Sequence, residues 1–512
     1  MKYNVLHYLE ESVKKHPNKI AAIDINGKIS YAAIQEESKK IGTYLIKQNI
    51  FHTPVIVFMD KGINALTTFL GIAYAGCSYS LLHPEFPKAR LEEINKVLET
   101  NIIITDSNYF NIAKETFPKN KIFTVEELKK TSKDENLLKA TRDKCLDIDP
   151  LYINFTSGST GTPKGVTICH RSVIDFIEIF TEEFNITSED IIGNQAPFDF
   201  DVSVKDIYSS LKMGATLVII PKEYFSRPKD LIDFICDNQV TTLIWAVSAL
   251  CLVSTFHGLD YRCPTSLKTV MFSGEVMPMK HLHKWMESLP NTTFINLYGP
   301  TEITCNSTYH IIDRNRNYET GLPIGKSFRN EETFLLSDNN EKITEPNIPG
   351  EICVRGTAVG LGYYNAQEET AKRFVLNPLE THYPEIIYRT GDLGKYDSNG
   401  DLYFCGRKDF QIKHMGHRIE LEEIEREINK IECILRCCCV YQEEKQKIYC
   451  FYIGDVDKKT IHENLTKTLP IYMIPNVFKS VLEMPLNKNG KIDRKELLKS
   501  VLGSEENDKN RI

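Results

Sequence analysis

The segment from Leu151 to Val173, LYINFTSGSTGTPKGVTICHRSV, constrains this chain more than any other part of it. Residues 151–155 are β-prone and end at a cluster of Thr, Ser, Gly and Pro, which predicts a strand followed by a turn. Glycines let a backbone approach an anion closely, while hydroxyls and a lysine donate to its oxygens. The turn therefore predicts a polyphosphate-binding loop. Its candidate residues are Thr156, Ser157, Gly158, Ser159, Thr160, Gly161 and Lys164.

This turn does not have the spacing of an ordinary P-loop, which requires G-x-x-x-x-G-K-[ST]. Lys164 follows Pro163 and precedes Gly165, so both the spacing and the residue after the lysine differ. A kinase-type or GTPase-type loop is therefore not expected. The remaining alternative is a polar surface turn without a ligand, which the concentration of glycines and hydroxyls around one lysine disfavours.

Composition and charge bound the class of protein. A chain of 512 residues predicts about three subdomains. With 42% hydrophobic and 26% charged residues it has the composition of a globular protein. The net charge of −7 and the lack of a long basic run argue against nucleic acid as a partner. Neither a signal peptide nor an apolar run of about 18 residues is evident, so we expect no membrane insertion and a cytoplasmic location.

Cysteine usage suggests thiols rather than disulfides. Fourteen cysteines are scattered over a long chain, which is typical of buried thiols in an intracellular protein. The run from Cys437 to Cys439 could suggest a metal site, but adjacent strand residues point to opposite faces and do not converge on one ion. The run therefore predicts a core strand.

Hydrophobic periodicity predicts an α/β protein. Residues 30–48 have the pattern of an amphipathic helix, 54–60 that of a buried strand and 63–76 that of an apolar helix, whereas 106–150 suggest surface helices. Further along, a helix is expected to begin near Asp201 and a strand to run from Thr216 to Ile220. Asp201 at this position fits a helix cap.

Three later strings place polar residues next to turns. In FINLYGPTE a strand ends at Tyr298, and a Gly-Pro turn presents Thr301 and Glu302 at its carboxyl end, where open α/β sheets bind ligands. In YRTGDLGKY, Asp392 beside Gly391 fits a β-turn or a ligand-binding carboxylate. In PLNKNGKIDRKELL a tight turn projects Lys491, either into solvent or towards a site.

These strings, together with GRKDFQIKHMGHRIE, resemble the signatures of the adenylate-forming superfamily over nearly the whole chain. The pattern is most similar to the amino-acid adenylation domains of nonribosomal peptide synthetases and to stand-alone D-alanine–carrier protein ligases. The resemblance implies a large N-terminal domain of α/β subdomains with mixed sheets, residues 1–408. It also implies a small mobile α+β domain, 409–505, that carries a catalytic lysine, and the charged end of the chain, 506–512, is expected to be a flexible tail.

The resemblance also implies a nucleotide site for ATP and Mg²⁺. Tyr298 would stack on adenine, and Asp392 would bind the ribose. Glu302 would hold Mg²⁺, as one carboxylate together with substrate phosphates can do. Lys491 would bridge the substrate carboxylate and the phosphate. The remaining implied positions are Thr301 at phosphate, Arg407 at the nucleotide, Asn296 and Gly299 beside Tyr298, and Asp409 as the interdomain hinge.

An amino-acid pocket is implied as well, in which Asp201 holds the α-ammonium group. D-alanine ligases usually carry an apolar residue at the position of Lys205 and a cysteine at that of Ser273, so these departures argue against D-alanine as the substrate. Lys205 fits a contact with a substrate carboxylate, an i,i+4 pair with Asp201 or a solvated side chain. The other implied pocket residues are Val202, Ile244, Met271, Leu297, Cys305 and Asn306.

The expected reaction is the ATP-dependent activation of an amino acid as an aminoacyl-adenylate, followed by transfer to a phosphopantetheine thiol. Because no carrier-like serine motif follows Leu502, we expect the carrier to be a separate protein. An acyl- or aryl-acid CoA ligase is an alternative, against which Asp201 argues, and a carrier-independent amide ligase would share the first half-reaction. A non-catalytic adenylate-binding protein is a third alternative. Four intact positions argue against it: Glu302, Asp392, Arg407 and Lys491.

Overall fold

The computed structural model describes residues 2–158, 162–318, 321–486 and 492–509. The chain divides into two compact units. The first consists of Met1–Pro84, Val97–Phe155 and Gly165–Lys408, and the second of Glu85–Lys96, Thr156–Lys164 and Asp409–Ile512. In the described ranges, no helix is both long enough and apolar enough to span a bilayer.

Helices and strands alternate along most of the chain, as the periodicity predicts. The α-helices are α1 (Leu6–Lys15), α2 (Tyr31–Lys47), α3 (Ile63–Tyr74), α4 (Lys88–Leu98), α5 (Phe110–Thr116), α6 (Val125–Leu128), α7 (Glu135–Arg142), α8 (His170–Glu183), α9 (Val202–Met213), α10 (Pro228–Asp237), α11 (Val247–Thr255), α12 (Gly258–Tyr261), α13 (Met279–Ser288), α14 (Gln367–Arg373), α15 (Leu421–Asn429), α16 (Lys458–Leu465) and α17 (Arg494–Lys509). Short 3-10 helices cover Lys222–Ser226, Thr301–Ile303, Glu443–Lys445 and Ile471–Met473.

The strands are β1 (Ile20–Asp24), β2 (Gly27–Ser30), β3 (Pro54–Phe58), β4 (Ser78–Leu81), β5 (Ile102–Thr105), β6 (Lys121–Thr124), β7 (Pro150–Thr156), β8 (Lys164–Cys169), β9 (Ile191–Asn194), β10 (Thr216–Ile219), β11 (Thr242–Ala246), β12 (Thr269–Ser273), β13 (Thr293–Tyr298), β14 (Thr308–Ile311), β15 (Lys326–Ser327), β16 (Glu331–Leu336), β17 (Lys342–Ile343), β18 (Gly350–Gly356), β19 (Gly362–Tyr363), β20 (Phe374–Leu376), β21 (Ile386–Tyr396), β22 (Leu402–Arg407), β23 (Gln411–His414), β24 (His417–Glu420), β25 (Ile434–Gln442), β26 (Lys447–Gly454) and β27 (Val477–Ser480).

Three sheets organise the first unit. One has the strand order β15-β14-β13-β12-β11-β9-β10-β1-β2, and its strands from β13 to β1 run parallel. A second has the order β19-β8-β7-β4-β3-β5-β6, and the third has the order β17-β16-β18-β21-β20 with β22 paired to β21. The edge strands β2, β14 and β15 are antiparallel to their neighbours, so the sheet is mixed. The predicted α/β class with mixed sheets is confirmed.

The central strands β11, β12 and β13 bury both faces. Ile244, Met271 and Ile295 are register partners, and they share one core cluster with residues of α9. The alternate positions, among them Trp245 and Phe272, belong to a separate cluster on the other face. This division follows from the two-residue period of a strand. One face of these strands therefore packs towards α9.

The second unit has its own core, formed by the sheet β25-β26-β27 and the helices α15 and α16. Cys437 and Cys439 face this core, whereas Cys438 faces the opposite cluster against α17. The prediction of a core strand is confirmed. All fourteen cysteines of the chain are free thiols, and only Cys405 and Cys433 are exposed.

The structure differs from the sequence-based expectations at two places. The 106–150 segment, which was expected to form surface helices, also contains the strand β6. No residue of β6 is fully buried, so its sequence lacks the alternation of apolar and polar residues that predicts a strand. Lys164 begins β8 and is buried, rather than lying in the turn. The final helix α17 begins at Arg494, where Asp493 caps its first turn and Leu497 anchors it in the core.

Candidate active site

Asp201 stands at the N-cap position of α9 and is 5% exposed. Its backbone is helical, with φ −60° and ψ −24°, and its side chain makes no capping hydrogen bond. A capping side chain normally requires an extended backbone at this position. Capping therefore does not explain the carboxylate. The main-chain oxygen of Asp201 accepts a hydrogen bond from Cys305 Sγ at 3.1 Å, which fixes the start of the helix beside the loop after β13.

Lys205 lies one helical turn after Asp201 and is completely buried. Its Nζ donates to Asn306 Oδ1 at 2.5 Å. Burial lowers the pKa of Lys205, against the opposing effect of Cys305, Asp201 and Asp206. In the described part of the chain no carboxylate oxygen lies within 4.0 Å of Nζ, so a solvated lysine and a direct ion pair with Asp201 are both wrong.

The predicted pocket residues lie together around one face of the central strands. Ile244 and Met271 are adjacent in register, and Ser273 follows two residues along β12 on the same face. The register partner of Met271 in β13 is Ile295, and Leu297, two residues after Ile295, is also buried. Val202 of α9 belongs to the same core cluster as these apolar residues. Apolar residues of α9 and of the strands β11, β12 and β13 therefore belong to one core, on the helix that carries Asp201 and Lys205.

The loop that follows β13 turns back sharply. A Cβ on Gly299 would lie 2.5 Å from Asn306 Cα and 2.7 Å from the main-chain oxygen of Cys305, so only glycine fits. Thr304 and Cys305 adopt positive φ angles of 56° and 82°, which is unusual for residues other than glycine and is an outlier for a β-branched one. Such strain concentrates at binding sites. The loop returns Cys305 and Asn306 to the pocket.

Glu302 occupies the 3-10 turn after β13 and is completely buried. Tyr363 Oη donates to its Oε1 at 2.7 Å. A buried carboxylate at the carboxyl end of a parallel strand is a suitable ligand for Mg²⁺ together with substrate phosphates, so the residues present fit this ion. Tyr363 was missed by the sequence analysis because it lies 61 residues further along the chain and on a two-residue strand.

Tyr298, Asp392 and Arg407 come together from three strands. Tyr298 Oη donates to Asp392 Oδ2 at 2.6 Å, and the Arg407 guanidinium pairs with Asp392 Oδ1. Asp392 and Arg407 face each other in the register of β21 and β22, so the explanation of Asp392 as a turn residue is wrong. Burial, and then the Asp392 carboxylate, raise the pKa of Tyr298. Asn296 supports the neighbouring backbone through its Nδ2, which donates to the oxygen of Pro323 at 2.9 Å.

A buried polar chain behind Lys205 has no signal in the sequence. Lys61 Nζ donates to Asn194 Oδ1 at 3.1 Å, and Asn194 Nδ2 donates to Asp206 Oδ2 at 2.6 Å. Burial raises the pKa of Asp206 to about 7 and lowers the pKa of Lys61 to about 7. Lys61 lies in the loop after β3, Asn194 ends β9 and Asp206 lies in α9. Because the three residues belong to different segments, hydrophobic periodicity within one segment could not reveal their contacts.

The folded-state pKa of Asp206 gives a prediction for stability. Below about pH 4 the Asp206 carboxyl is protonated in both the folded and the unfolded state. Between pH 4 and 7 it ionises in the unfolded state but stays mostly protonated in the folded state, so the free energy of unfolding falls as the pH rises. Asp206→Asn should reduce this loss by about 1.4 kcal/mol per pH unit at most. Urea unfolding of both proteins from pH 5 to 7 measures it, with the surface variant Asp147→Asn as control. Parallel pH profiles for wild type and Asp206→Asn would contradict the burial argument.

The second unit contains the described part of the predicted phosphate loop. Ser157 Oγ donates to the oxygen of Arg418 at 2.8 Å and accepts from Glu420 N at 3.0 Å. A Cβ on Gly158 would lie 2.0 Å from the oxygen of Thr162, so this position also requires glycine. Asp409 Oδ1 accepts from Gln411 N at 3.3 Å. The predicted site residues Ser159, Thr160, Gly161 and Lys491 lie outside the described residues.

Thr156 and Lys164 lie at the two strand ends that border this loop. Thr156 is the last residue of β7, and its Oγ1 has no hydrogen-bond partner among the described residues. Lys164, the first residue of β8, is 8% exposed. A hydroxyl and an amine at these positions can both donate to an anion.

Comparison with known proteins is consistent with this arrangement. The family model for AMP-binding enzyme matches residues 9–364. Zwittermicin A synthase ZmaJ of Bacillus cereus is 34% identical, over 97% of this chain and 94% of that protein. The D-alanine–D-alanyl carrier protein ligase of Bacillus cereus strain AH187 is 32% identical, over 97% of this chain and 99% of that ligase. Other relatives are much longer, and the chain spans 9% of bacitracin synthase 1 from Bacillus licheniformis.

The solved structures agree on the fold. The adenylation domain AlmE of Vibrio cholerae, solved with glycyl-adenosine-5'-phosphate, superposes with a TM-score of 0.85 at 21% identity and covers 98% of both chains. The resemblance to adenylate-forming enzymes is thereby confirmed, as is the predicted fold. Since the family model covers most of the chain and two relatives exceed 30% identity over nearly all of it, this chain belongs to the AMP-binding enzyme family and is an adenylate-forming ligase.

Proposed function

We propose that this protein activates an amino acid as its aminoacyl-adenylate and then transfers the aminoacyl group to the phosphopantetheine thiol of a separate carrier protein. The observation that carries the proposal is a carboxylate, Asp201, that is buried at the start of α9 in the core that contains the predicted pocket residues. A substrate ammonium removed from water needs a charged partner, and Asp201 offers one at the edge of an apolar pocket. Aryl and fatty acids have no such group.

Relatives support the carrier half of the proposal. The D-alanine–D-alanyl carrier protein ligase matches this chain over 99% of its own length. In the proposed second step, the phosphopantetheine sulfur attacks the acyl carbonyl, a thioester forms, AMP leaves and the thiol proton passes to solvent. The coarser assignment, an adenylate-forming ligase, does not depend on this step.

The nucleotide end of the site is assigned to Tyr298, Asp392 and Arg407. An ionised carboxylate has about four lone-pair positions. Tyr298 and Arg407 occupy one position on each oxygen of Asp392, and the remaining two suit the two ribose hydroxyls. Arg407 also donates to the oxygen of Thr390 at 3.2 Å, which fixes the guanidinium plane. We therefore propose that this trio orients the ribose and that the Tyr298 ring stacks on adenine.

The first chemical step brings two anions together. A substrate carboxylate oxygen bonds to the α-phosphorus of ATP while the bond to pyrophosphate breaks, so the residues must position the reactants and offset negative charge. Lys491 is assigned the contact with both anions, and Thr301 a contact with phosphate. Glu302 is assigned as a ligand of Mg²⁺, and this ion would neutralise phosphate charge when bound. Thr156 and Lys164 are assigned contacts with the phosphates.

We further propose that residues 1–408 form the adenylation domain and that 409–505 form a mobile domain that turns about Asp409. A hinge consists of a few residues that absorb a large change in φ and ψ. Such a turn would withdraw Lys491 after the first step and admit the thiol.

The experiment that tests the proposal is acid-dependent exchange of labelled pyrophosphate into ATP. The panel contains D- and L-amino acids, β-alanine, and aryl and fatty acids without an amine. Exchange with an amino acid supports the first step, and thioester formation on a phosphopantetheinylated carrier protein in preference to coenzyme A supports the second. Exchange only with acids that lack an amine would overturn the proposal in favour of a CoA ligase.

Asp201→Asn tests the residue that carries the proposal. Loss of the charged partner should lower kcat/KM for the amino acid by about 10–100-fold, because a hydrogen bond to a charged group contributes about 1.5–3 kcal/mol. The KM for ATP should stay unchanged. Asp147→Asn, which removes the same charge at the surface near Arg171, serves as the control. Unaltered amino-acid kinetics in Asp201→Asn would remove the assignment.

A further inference from the structure

Lys205 presents an unusual electrostatic situation. Its ammonium group has three N–H donors and is completely buried, yet among the described residues its only hydrogen-bond acceptor is the neutral Asn306 Oδ1 at 2.5 Å. Removing an ammonium from water costs several kcal/mol unless a counter-charge and further hydrogen bonds compensate. Within the described ranges, no carboxylate therefore pairs directly with Lys205.

Two acidic residues, Asp206 and Asp201, act on Lys205 through their charge, but neither accepts a hydrogen bond from it. Asp206 follows Lys205 in the helix, so its side chain points in a different direction, and its Oδ2 accepts from Asn194 in the chain that leads to Lys61. Asp201, at the start of α9, raises the pKa of Lys205 through its charge but accepts no hydrogen bond from Lys205 Nζ. Under the proposed function, the substrate ammonium occupies Asp201, which leaves Lys205 without compensation.

The spacing of these charges matches a particular substrate. Asp201 and Lys205 are four residues apart on one helix, about 6 Å along its axis and on the same face. The negative group thus precedes the positive one along α9, and this helix shares one core cluster with the apolar residues Ile244, Met271 and Leu297. An α-amino acid with an anionic side chain has the complementary order: an ammonium, one or more methylene groups and a carboxylate.

We propose that the substrate is a dicarboxylic α-amino acid, whose side-chain carboxylate pairs with Lys205 while its ammonium pairs with Asp201. This inference rests on the proposed amino-acid activation. A hydroxyl or amide side chain would also accept a hydrogen bond from Lys205, but it would leave a buried positive charge uncompensated. Asn306 acts as a positioning residue, since its amide oxygen holds the ammonium against the pocket.

Pyrophosphate exchange compares acids with their isosteric amides: aspartate with asparagine, and glutamate with glutamine, in both enantiomers, with 2-aminoadipate as a longer acid. The wild type should use one of the acids at least tenfold better than its amide. Lys205→Met should lower kcat/KM for that acid by about 100-fold, as expected for removing one partner of a buried charge pair, and should reverse the preference towards the amide.

Lys212→Met is the matched control on the same helix. Lys212 is mostly buried, and its Nζ lies 2.7 Å from Glu178 Oε2, so its loss removes a lysine from α9 without altering the pocket. It should keep the wild-type preference for the acid. Circular dichroism and thermal unfolding test whether Lys205→Met and Lys212→Met remain folded.

A binding measurement makes the test independent of turnover. Calorimetry compares two unreactive aminoacyl-sulfamoyl adenosines that differ only in carrying a glutamyl or a glutaminyl group, with an aspartyl and asparaginyl pair alongside. Tighter binding of an acidic analogue to the wild type, lost in Lys205→Met, supports the inference. Equal binding within both pairs, or no binding of either acidic analogue, overturns it.

The outcomes separate this inference from the proposed function. Exchange with a neutral amino acid alone overturns the dicarboxylic substrate and leaves amino-acid activation standing. Exchange only with acids that lack an amine overturns both. A Lys205→Met variant that still prefers the acid over its amide also overturns the inference, since the lysine is then not the group that reads the carboxylate.

Discussion

Replacing Glu302 with glutamine is expected to lower the rate of adenylate formation by about 10²–10³-fold, the usual effect of removing one preorganised electrostatic group. Glutamine keeps the shape of the side chain and can still accept from Tyr363, whose Oη lies 2.7 Å from Glu302 Oε1. It lacks the negative charge with which a carboxylate strengthens Mg²⁺ binding. Pyrophosphate exchange measured over a range of Mg²⁺ concentrations should therefore show a higher Mg²⁺ requirement in the variant.

Two further variants serve as comparisons for Glu302→Gln. Tyr363→Phe removes the donor and keeps the carboxylate, so we expect a loss of only about tenfold or less, consistent with one neutral hydrogen bond. Glu332→Gln removes the same charge from a surface glutamate that pairs with Lys342 and Arg355, and its activity should match the wild type. An Mg²⁺ dependence unchanged in Glu302→Gln would show that another group holds the ion.

Changing Lys491 to alanine is expected to lower adenylation by at least about 10²–10³-fold. The reaction joins a carboxylate to a phosphate, and the lysine is assigned to neutralise both anions as they approach. The same variant should transfer an aminoacyl group from preformed adenylate to a carrier thiol at nearly the wild-type rate, because that step has no need of the lysine. Pyrophosphate exchange and single-turnover thioester formation measure the two steps separately.

Lys495→Ala is the control for Lys491, since it removes the same charge four residues later from an exposed position on α17. It should affect neither step. If Lys491→Ala slowed both half-reactions equally, general destabilisation of the second unit would explain the result better than a catalytic contact.

Much of the fold could be predicted because its signals are local. The start of α9, both ends of β10 and the end of β13 lie within one residue of the predicted positions, since apolar periodicity and breaker residues determine such elements. The convergence of Tyr298, Asp392 and Arg407 was also expected, but from resemblance rather than from periodicity. A strand pattern alone allowed Asp392 to be a turn residue.

The remaining features depend on contacts between distant segments. Tyr363 reaches Glu302 from a strand of two residues, and Lys61 reaches Asp206 through Asn194 on a third element. No property of the residues next to Lys205 in sequence indicates that it is completely buried. Such features depend on how the sheet and helix pack, which a one-dimensional pattern does not contain.

The alternation along β11, β12 and β13 has a consequence for changing the substrate of this protein. Ile244, Met271, Ser273 and Leu297 occupy one parity of positions, whereas residues such as Trp245, Val270 and Phe272 occupy the other and fill a separate core. The proposed pocket residues and the residues that fill the separate core thus alternate along the same strands. A combinatorial library restricted to the first parity can redesign the pocket while every side chain of the opposite core stays as it is.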